Sequence, residues 1–261
     1  MNRLERKFSE LERKGEKALT LFLTDGFPKL DSTVPLVWKL EEAGADVIEL
    51  GMPFSDPLAD GPVIQASSAA ALKNGVTLEK ILRDVKAIRT RSNIPIVLMG
   101  YVNPILNFGA DKFFRAAAKA DVDGMIFPEL PFEEAGRFRP VLRHLGLSNI
   151  LLVAPTSTPQ RIAAIDRMSS GFLYCVSSTG VTGTHGQGGG GKYLRNVKRH
   201  VKKNPVLVGF GISEPDDAKR YARHADGVIV GSALIKKIAQ GDSMSSIVHW
   251  VRLLKSAIIS G

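Results

Sequence analysis

Short apolar runs alternate along the chain with longer segments in which apolar residues recur every three or four positions. Runs of the first kind, such as Ala18 to Thr24, predict buried strands. Segments of the second kind predict amphipathic helices, and the first of them carries Leu4, Phe8 and Leu11 among charged residues. The chain therefore begins with a helix, after which strands and helices take turns to the end.

The pattern predicts eight strands, near residues 18–24, 47–50, 94–100, 124–127, 149–153, 172–176, 206–210 and 227–230. Among the segments between them, 132–144 and 192–202 are predicted helices, whereas 101–104 and 177–191 are predicted loops. Strands that alternate with helices form parallel βαβ units with right-handed crossovers. Eight such units in 261 residues favour a closed (β/α)8 barrel, the TIM barrel, over an open doubly wound sheet. We predict one barrel domain over residues 1–261, with an extra N-terminal helix.

The composition narrows the class of protein. The only cysteine, Cys175, lies in an apolar run and is predicted to be a packed core thiol. A single cysteine excludes an intrachain disulfide and a cysteine-rich zinc site, and no other metal site is expected. The charged N-terminus has no signal-peptide core, and no apolar run reaches the length of a membrane span. We expect a cytoplasmic protein that does not bind a membrane.

The net charge is +9 at pH 7, a value that also occurs in nucleic-acid-binding proteins. The densest basic run, Lys192 to Lys203, alternates with Leu194, Val197 and Val201 at helical spacing, which predicts a solvated helix face. Attraction of anionic substrates is therefore the preferred use of this charge, and nucleic-acid binding is not expected.

Glu49 interrupts the apolar run of the second strand near its C-terminal end. A buried carboxylate must be hydrogen-bonded, ion-paired or used in chemistry, because burying an isolated charge is costly. The proline-rich loop that follows carries two more carboxylates, Asp56 and Asp60. This arrangement indicates acid–base chemistry. The alternative is that Glu49 pairs with a buried Lys or Arg while the two aspartates cap turns.

Functional groups of a (β/α)8 barrel lie at the C-terminal ends of its strands. Gly209-Phe210-Gly211 follows the predicted seventh strand, and Gly231-Ser232 follows the eighth and opens a helix. Glycines allow close approach of phosphate to the backbone, and a helix N-terminus attracts anions. These segments therefore predict a phosphate site. The glycine-rich loop at 177–191 is predicted to be a lid, the alternative being a connection without a role.

The segment Glu49-Leu50-Gly51-Met52-Pro53-Phe54-Ser55-Asp56-Pro57-Leu58-Ala59-Asp60-Gly61-Pro62 resembles the signature of the tryptophan synthase alpha subunit family. The likeness continues through Tyr101-Val102-Asn103-Pro104, Gly180-Val181-Thr182-Gly183, Gly209-Phe210-Gly211-Ile212-Ser213 and Gly231-Ser232-Ala233. It covers essentially the whole chain in the right order. The sequence departs from the family pattern at Glu129, where the family mostly has Asp, at Ser178, where some members carry Arg, and in the glycines that end the lid.

The resemblance implies a carbon–carbon lyase that cleaves indole-3-glycerol phosphate to indole and glyceraldehyde 3-phosphate. It implies that Glu49 is the general acid–base and that Asp60 accepts a hydrogen bond from the indole N–H. The implied substrate-binding residues are Phe22, Met99, Tyr101, Ile126, Tyr174, Thr182 and Phe210, with Gly183, Gly211, Gly231 and Ser232 at the phosphate.

The resemblance also implies an α2β2 assembly with a beta subunit that holds pyridoxal phosphate, whereas this chain needs no cofactor. Two alternatives stay open from the sequence. One is an alpha-like subunit with little or no activity of its own that mainly activates the beta subunit. The other is a lyase that works without a partner.

Overall fold

Eight parallel strands close into a barrel in the order in which they occur along the chain. The computed structural model describes residues 2–176, 189–209 and 211–259. The strands are β1 (Ala18–Thr24), β2 (Val47–Gly51), β3 (Ile96–Met99), β4 (Gly124–Ile126), β5 (Ser148–Val153), β6 (Leu173–Val176), β7 (Val206–Gly209) and β8 (Gly227–Val230). The prediction of a (β/α)8 barrel is confirmed.

Helices surround the barrel and fill the connections between its strands. They are α1 (Arg3–Lys14), α2 (Thr33–Glu42), α3 (Pro62–Lys73), α4 (Leu78–Arg89), α5 (Val102–Phe108), α6 (Ala110–Lys119), α7 (Phe132–Ala135), α8 (Arg139–His144), α9 (Pro159–Met168), α10 (Gly189–His200), α11 (Pro215–Ala222), α12 (Ser232–Ala239) and α13 (Met244–Ile259). Within the described residues, none of these helices is both long and apolar enough to span a bilayer.

The extra N-terminal helix packs against residues of the barrel interior. Leu4, Phe8 and Leu11 form one buried cluster with inward-facing strand residues, and the rings of Phe8 and Phe172 lie 5.8 Å apart. Asn2 caps the helix by accepting from the N–H of Glu5, and its Nδ2 donates to Ser148 Oγ at 3.0 Å. This helix therefore covers the end of the barrel at which the strands begin.

The structure corrects two predicted connections. The predicted loop 101–104 contains the start of α5, because Pro104 falls in the first turn, where a missing N–H is tolerated. The predicted helix 132–144 is two helices, α7 and α8, since Pro140 cannot continue a helix already under way.

The end of the predicted glycine-rich loop is also corrected. Gly189, Gly190 and Gly191 form the first turn of α10 instead of belonging to a lid. The rest of the predicted lid, residues 177–188, lies outside the described residues.

Candidate active site

Glu49 places a carboxyl group in the interior of the barrel. It lies on β2 beside Phe22 of β1 and Val97 of β3, and it is fully buried. Among the described residues, neither carboxyl oxygen of Glu49 has a hydrogen-bond partner. Burial raises the pKa of this carboxyl to about 8. The alternative in which Glu49 pairs with a buried cation is therefore wrong for the described part of the chain, and the group is mostly protonated at neutral pH.

Asp60 lies at the end of the loop between β2 and α3, directly before Gly61, the N-cap residue of α3. Its side chain is half-buried. Burial raises its pKa to about 6, a hydrogen bond from the Tyr101 hydroxyl opposes this rise, and the negative charge of Glu129 adds to it. The Tyr101 hydroxyl also accepts from the N–H of Ala59 at 2.9 Å. Tyr101 therefore holds the loop and the Asp60 carboxyl together.

Tyr174 on β6 is buried and lies within the electrostatic influence of both carboxyls. Burial holds the pKa of its hydroxyl well above the ordinary value, and negative charge on Glu49 and then on Asp60 raises it further. Gly209 on β7 leaves room for this ring, because a Cβ at that position would overlap the tyrosine hydroxyl. The structure thus brings together three side chains that are widely separated in the sequence.

One small cavity connects several of the predicted substrate-binding residues. Phe22, Met99, Tyr101 and Asp60 line it. The absence of a side chain at Gly51 is required there, since a Cβ would come within 2.5 Å of the Phe22 ring. Glu49 is not part of the lining, and Ile126 is fully buried in the cluster of the barrel interior that includes Tyr174.

Ile64 is a lining residue that the sequence analysis missed. It lies on α3, is 9 % exposed and clusters with Phe22 and Ile235. Its role could have been predicted from the sequence, because Ile64 lies in the first turn of the helix that follows the acidic loop. That turn is at the same end of the barrel as the loop.

The predicted phosphate-binding residues lie in the connections after β7 and β8. Gly211 is exposed and has a φ of +73°, a conformation that favours glycine. Gly231 is the N-cap residue of α12, and Ser232 is the exposed first residue of that helix, as the sequence predicted. Three further predicted site residues, Thr182, Gly183 and Phe210, lie outside the described residues.

Glu129, the position that departs from the family pattern, is exposed in the connection after β4. Its carboxylate accepts from the N–H of Val102 at 2.6 Å. Val102 is the first residue of α5, so the carboxylate satisfies one of the free N–H groups at that helix end and interacts favourably with its dipole. The side chain is thus used to hold α5 beside the site.

Comparison with known proteins agrees with this geometry. Residues 8–256 match the family model described as tryptophan synthase alpha chain. The tryptophan synthase alpha chain of Geobacter sulfurreducens is 49 % identical over 238 residues, 90 % of this chain and 90 % of that protein. That of Geotalea daltonii is 47 % identical over 242 residues, 92 % of this chain and 91 % of that protein. The crystal structure of tryptophan synthase subunit alpha from Legionella pneumophila is 36 % identical, with a TM-score of 0.91 and full coverage of both chains. The chain therefore belongs to the tryptophan synthase alpha chain family.

Proposed function

We propose that this chain cleaves indole-3-glycerol phosphate, the reaction of its family, with Glu49 as the general acid–base and Asp60 as the electrostatic partner. The observation that carries this assignment is the Glu49 carboxyl, which is fully buried and has no hydrogen-bond partner among the described residues. A group left in that state costs stability, so its presence is best explained by a use in the chemistry.

The reaction breaks the bond between C3 of the indole ring and the first carbon of the glycerol chain. The ring accepts the bonding electrons once C3 is protonated, and a carboxyl with a pKa of about 8 carries that proton at neutral pH. The Glu49 carboxylate that results then accepts the proton of the adjacent glycerol hydroxyl as the aldehyde forms. The proton count of the enzyme is thereby restored at the end of the step.

Asp60 has the opposite protonation state to Glu49 at neutral pH. Its pKa of about 6 leaves it mostly ionised at neutral pH, so it accepts a hydrogen bond from the indole N–H and stabilises positive charge on the ring. Two carboxyls whose environments place their pKa values apart provide an acid and an anion in one site.

Phe22, Met99, Ile126 and Tyr174 form the apolar surroundings of the indole ring in this proposal. Gly211, Gly231 and Ser232 bind the phosphate together with Gly183. Glycines after β7 and the start of α12 after β8 support this placement, since phosphate commonly binds there in barrels of this kind.

The family implies a beta subunit as partner, and we propose an α2β2 assembly in which that subunit holds the pyridoxal phosphate. Leu58, in the loop that carries Asp56 and Asp60, is 90 % exposed. An apolar side chain this exposed, next to the site, is suited to burial against a partner. Cytoplasmic location is part of the same proposal.

Release of indole from indole-3-glycerol phosphate, measured with and without a beta subunit, tests the function. Slow release by the chain alone and faster release in the complex are expected. Equal rates in both would support a lyase that works alone. No release in either, from a complex that still forms, would support the alternative of a subunit that mainly activates its partner.

A further inference from the structure

The positive charge of the chain is concentrated in one stretch. Residues 137–203 contain eleven Lys and Arg residues and one acidic residue, Asp166. This stretch therefore carries a formal charge of +10, whereas the whole chain carries +9. The remainder of the chain is close to neutral, so the charge belongs to the sector that contains α8, α9 and α10. Such asymmetry points to a specific electrostatic partner.

Most of these cations have no carboxylate partner within the described residues. Arg137, Arg161 and Lys198 form ion pairs with carboxylates. The side chains of Arg143, Arg199 and Lys202 are exposed and form no ion pair in the described part of the chain. The negative charge of Asp166 is directed inward, because its carboxylate accepts from the N–H groups of Lys202 and Lys203 at 2.7 and 3.0 Å.

A wide groove brings part of this charge onto one surface. It has a volume of about 1220 Å³ and runs between α1 and the connections that lead into β5 to β8. Arg139, Arg143, Lys202 and Lys203 line the groove together with Lys17 and Lys198. Its acidic lining residues are Glu5 and Glu12 of α1, Glu16, which pairs with Lys255, and Asp226, which pairs with Lys198. The groove is thus at the end of the barrel where the strands begin, away from Asp60 and Gly211.

The groove also offers an unused hydrogen-bond donor. Asn149, which lines it, is 3 % exposed, and its Nδ2 has no hydrogen-bond partner among the described residues. A buried amide donor without an acceptor costs free energy, which an acceptor group from a bound ligand would recover.

We propose that this groove binds an acidic peptide segment of another protein, with its carboxylates against Arg139, Arg143, Lys202 and Lys203. The volume exceeds the usual range of small-molecule pockets, about 300–1,000 Å³, and suits a chain segment. Basic residues facing carboxylates give charge complementarity and fast association.

A peptide fits the groove better than a nucleic acid. The one aromatic residue of the lining, Phe8, is buried against Phe172, so the groove presents no ring on which bases can stack. The carboxylate of Glu12 would repel a continuous phosphate backbone, whereas a peptide can direct N–H groups or a basic side chain toward α1.

The test is fluorescence polarisation with the full-length chain and a fluorescein-labelled peptide in which glutamate alternates with serine, so that carboxylates face the basic residues and neutral residues can face α1. We expect salt-sensitive binding that the variant Arg143→Glu/Lys202→Glu weakens roughly tenfold or more, since two attractive contacts become repulsive. The matched control is Arg83→Glu/Lys86→Glu on α4, which makes the same change of charge at exposed positions outside the sector and should leave binding nearly unchanged. Both variants should keep the melting temperature and the indole-release rate of the parent, because neither pair touches the proposed active site.

Three outcomes would overturn the proposal. One is the absence of peptide binding at low salt. Another is equal weakening by the two variants, which would mean that net charge alone attracts the peptide. The third is equal or tighter binding of an oligothymidylate or of phosphatidylserine vesicles that shows the same sensitivity to Arg143→Glu/Lys202→Glu.

Discussion

Carboxylates at the two ends of the barrel differ in their partners: three aspartates that precede strands are hydrogen-bonded and ion-paired, whereas Glu49 near the end of β2 is neither among the described residues. At the end where the strands begin, Asp46, Asp123 and Asp226 directly precede β2, β4 and β8. Each carboxylate accepts a backbone N–H from an adjoining strand, that of Leu19, Ile96 and Val206 respectively, at 2.8 to 2.9 Å. Each also meets a cation, namely Lys255, Arg89 or Lys198, at 2.6 to 2.7 Å.

At the opposite end, Glu49 is fully buried, whereas the Asp226 side chain is 31 % exposed, and Glu49 has neither kind of partner among the described residues. At Asp123 burial also raises the pKa, but the Ile96 N–H and Arg89 oppose that rise, whereas at Glu49 burial acts unopposed and costs more stability. Asp25, which follows β1 at the same end, is also buried but pairs with Lys80, so of these carboxyls Glu49 is the one left available for chemistry.

The largest expected effect is the loss of catalysis in Glu49→Gln. The amide cannot donate the proton to indole C3, so kcat for indole release should fall at least about 100-fold, the range for loss of a general acid. Phosphate-ligand binding should stay largely intact. Steady-state kinetics and a titration with glyceraldehyde 3-phosphate measure both quantities, and turnover at the parent rate would contradict the role of Glu49.

The same variant should change the pH dependence of stability. Glu49 has a pKa of about 8 in the folded chain and 4.5 as its model value, so between these pH values folding retains a proton that unfolding releases. Stability therefore falls as pH rises from 4.5 to 8, by several kcal/mol at about 1.4 kcal/mol per pKa unit. Urea unfolding at pH 5 and pH 8 should show a shallower fall in Glu49→Gln. Asp25, Asp60 and Asp123, whose pKa values burial also raises, contribute equally in both proteins.

Asp46→Ala should lower the stability of the fold and leave kcat unchanged, the converse of what Glu49→Gln should do to kcat. It leaves the Leu19 N–H without its acceptor and the Lys255 ammonium with only Glu16 and the Lys17 carbonyl, which should cost about 2 kcal/mol in the free energy of unfolding. The kcat of the folded fraction should stay at the parent value, since Asp46 lies at the other end of β2. A melting temperature equal to that of the parent would show that the two ends do not differ as described.

Tyr101→Phe should raise the pKa of Asp60 and lower kcat/KM moderately. It removes a hydrogen bond that lowers the pKa of Asp60 and the acceptor for the N–H of Ala59. We expect kcat/KM to fall about tenfold, which corresponds to about 1.4 kcal/mol, and the acid limb of its pH profile to move to higher pH. Faster exchange of the Ala59 amide should accompany this change, and an unmoved acid limb would separate Tyr101 from Asp60.

The smallest effect is expected for Gly211→Ala. Its φ of +73° makes a side chain unfavourable by about 1–2 kcal/mol, although no atom lies within 4 Å of the added Cβ. KM for indole-3-glycerol phosphate should rise while kcat changes little. Gly241→Ala is the matched control, because its φ is +77° and its surroundings are equally open. A similar rise of KM in both variants would argue against a phosphate role for Gly211.

Several elements were predictable from the sequence because their signals are local. The apolar runs at Ala18–Thr24 and Gly227–Val230 gave the same bounds as the structure. Local signals failed at proline, which occurs both in loops and in the first turn of a helix. Residues 101–104 were predicted to be a loop, but Pro104 occupies the first turn of α5, and the N–H of Val102 donates to the carboxylate of Glu129, 27 residues away.

The sequence by itself determined the order of strands and helices, the closure of eight βα units into a barrel and the place of Glu49 near a strand end. Hydrophobic periodicity and turn residues act over a few positions, so they need no knowledge of distant contacts. Only the tertiary structure decided that no cation reaches Glu49 within the described residues, that Tyr174 lies under the influence of two carboxyls, and that Arg143 and Lys202 share one groove. These facts depend on distances across the barrel between residues far apart in the chain, and burial and charge act through those distances.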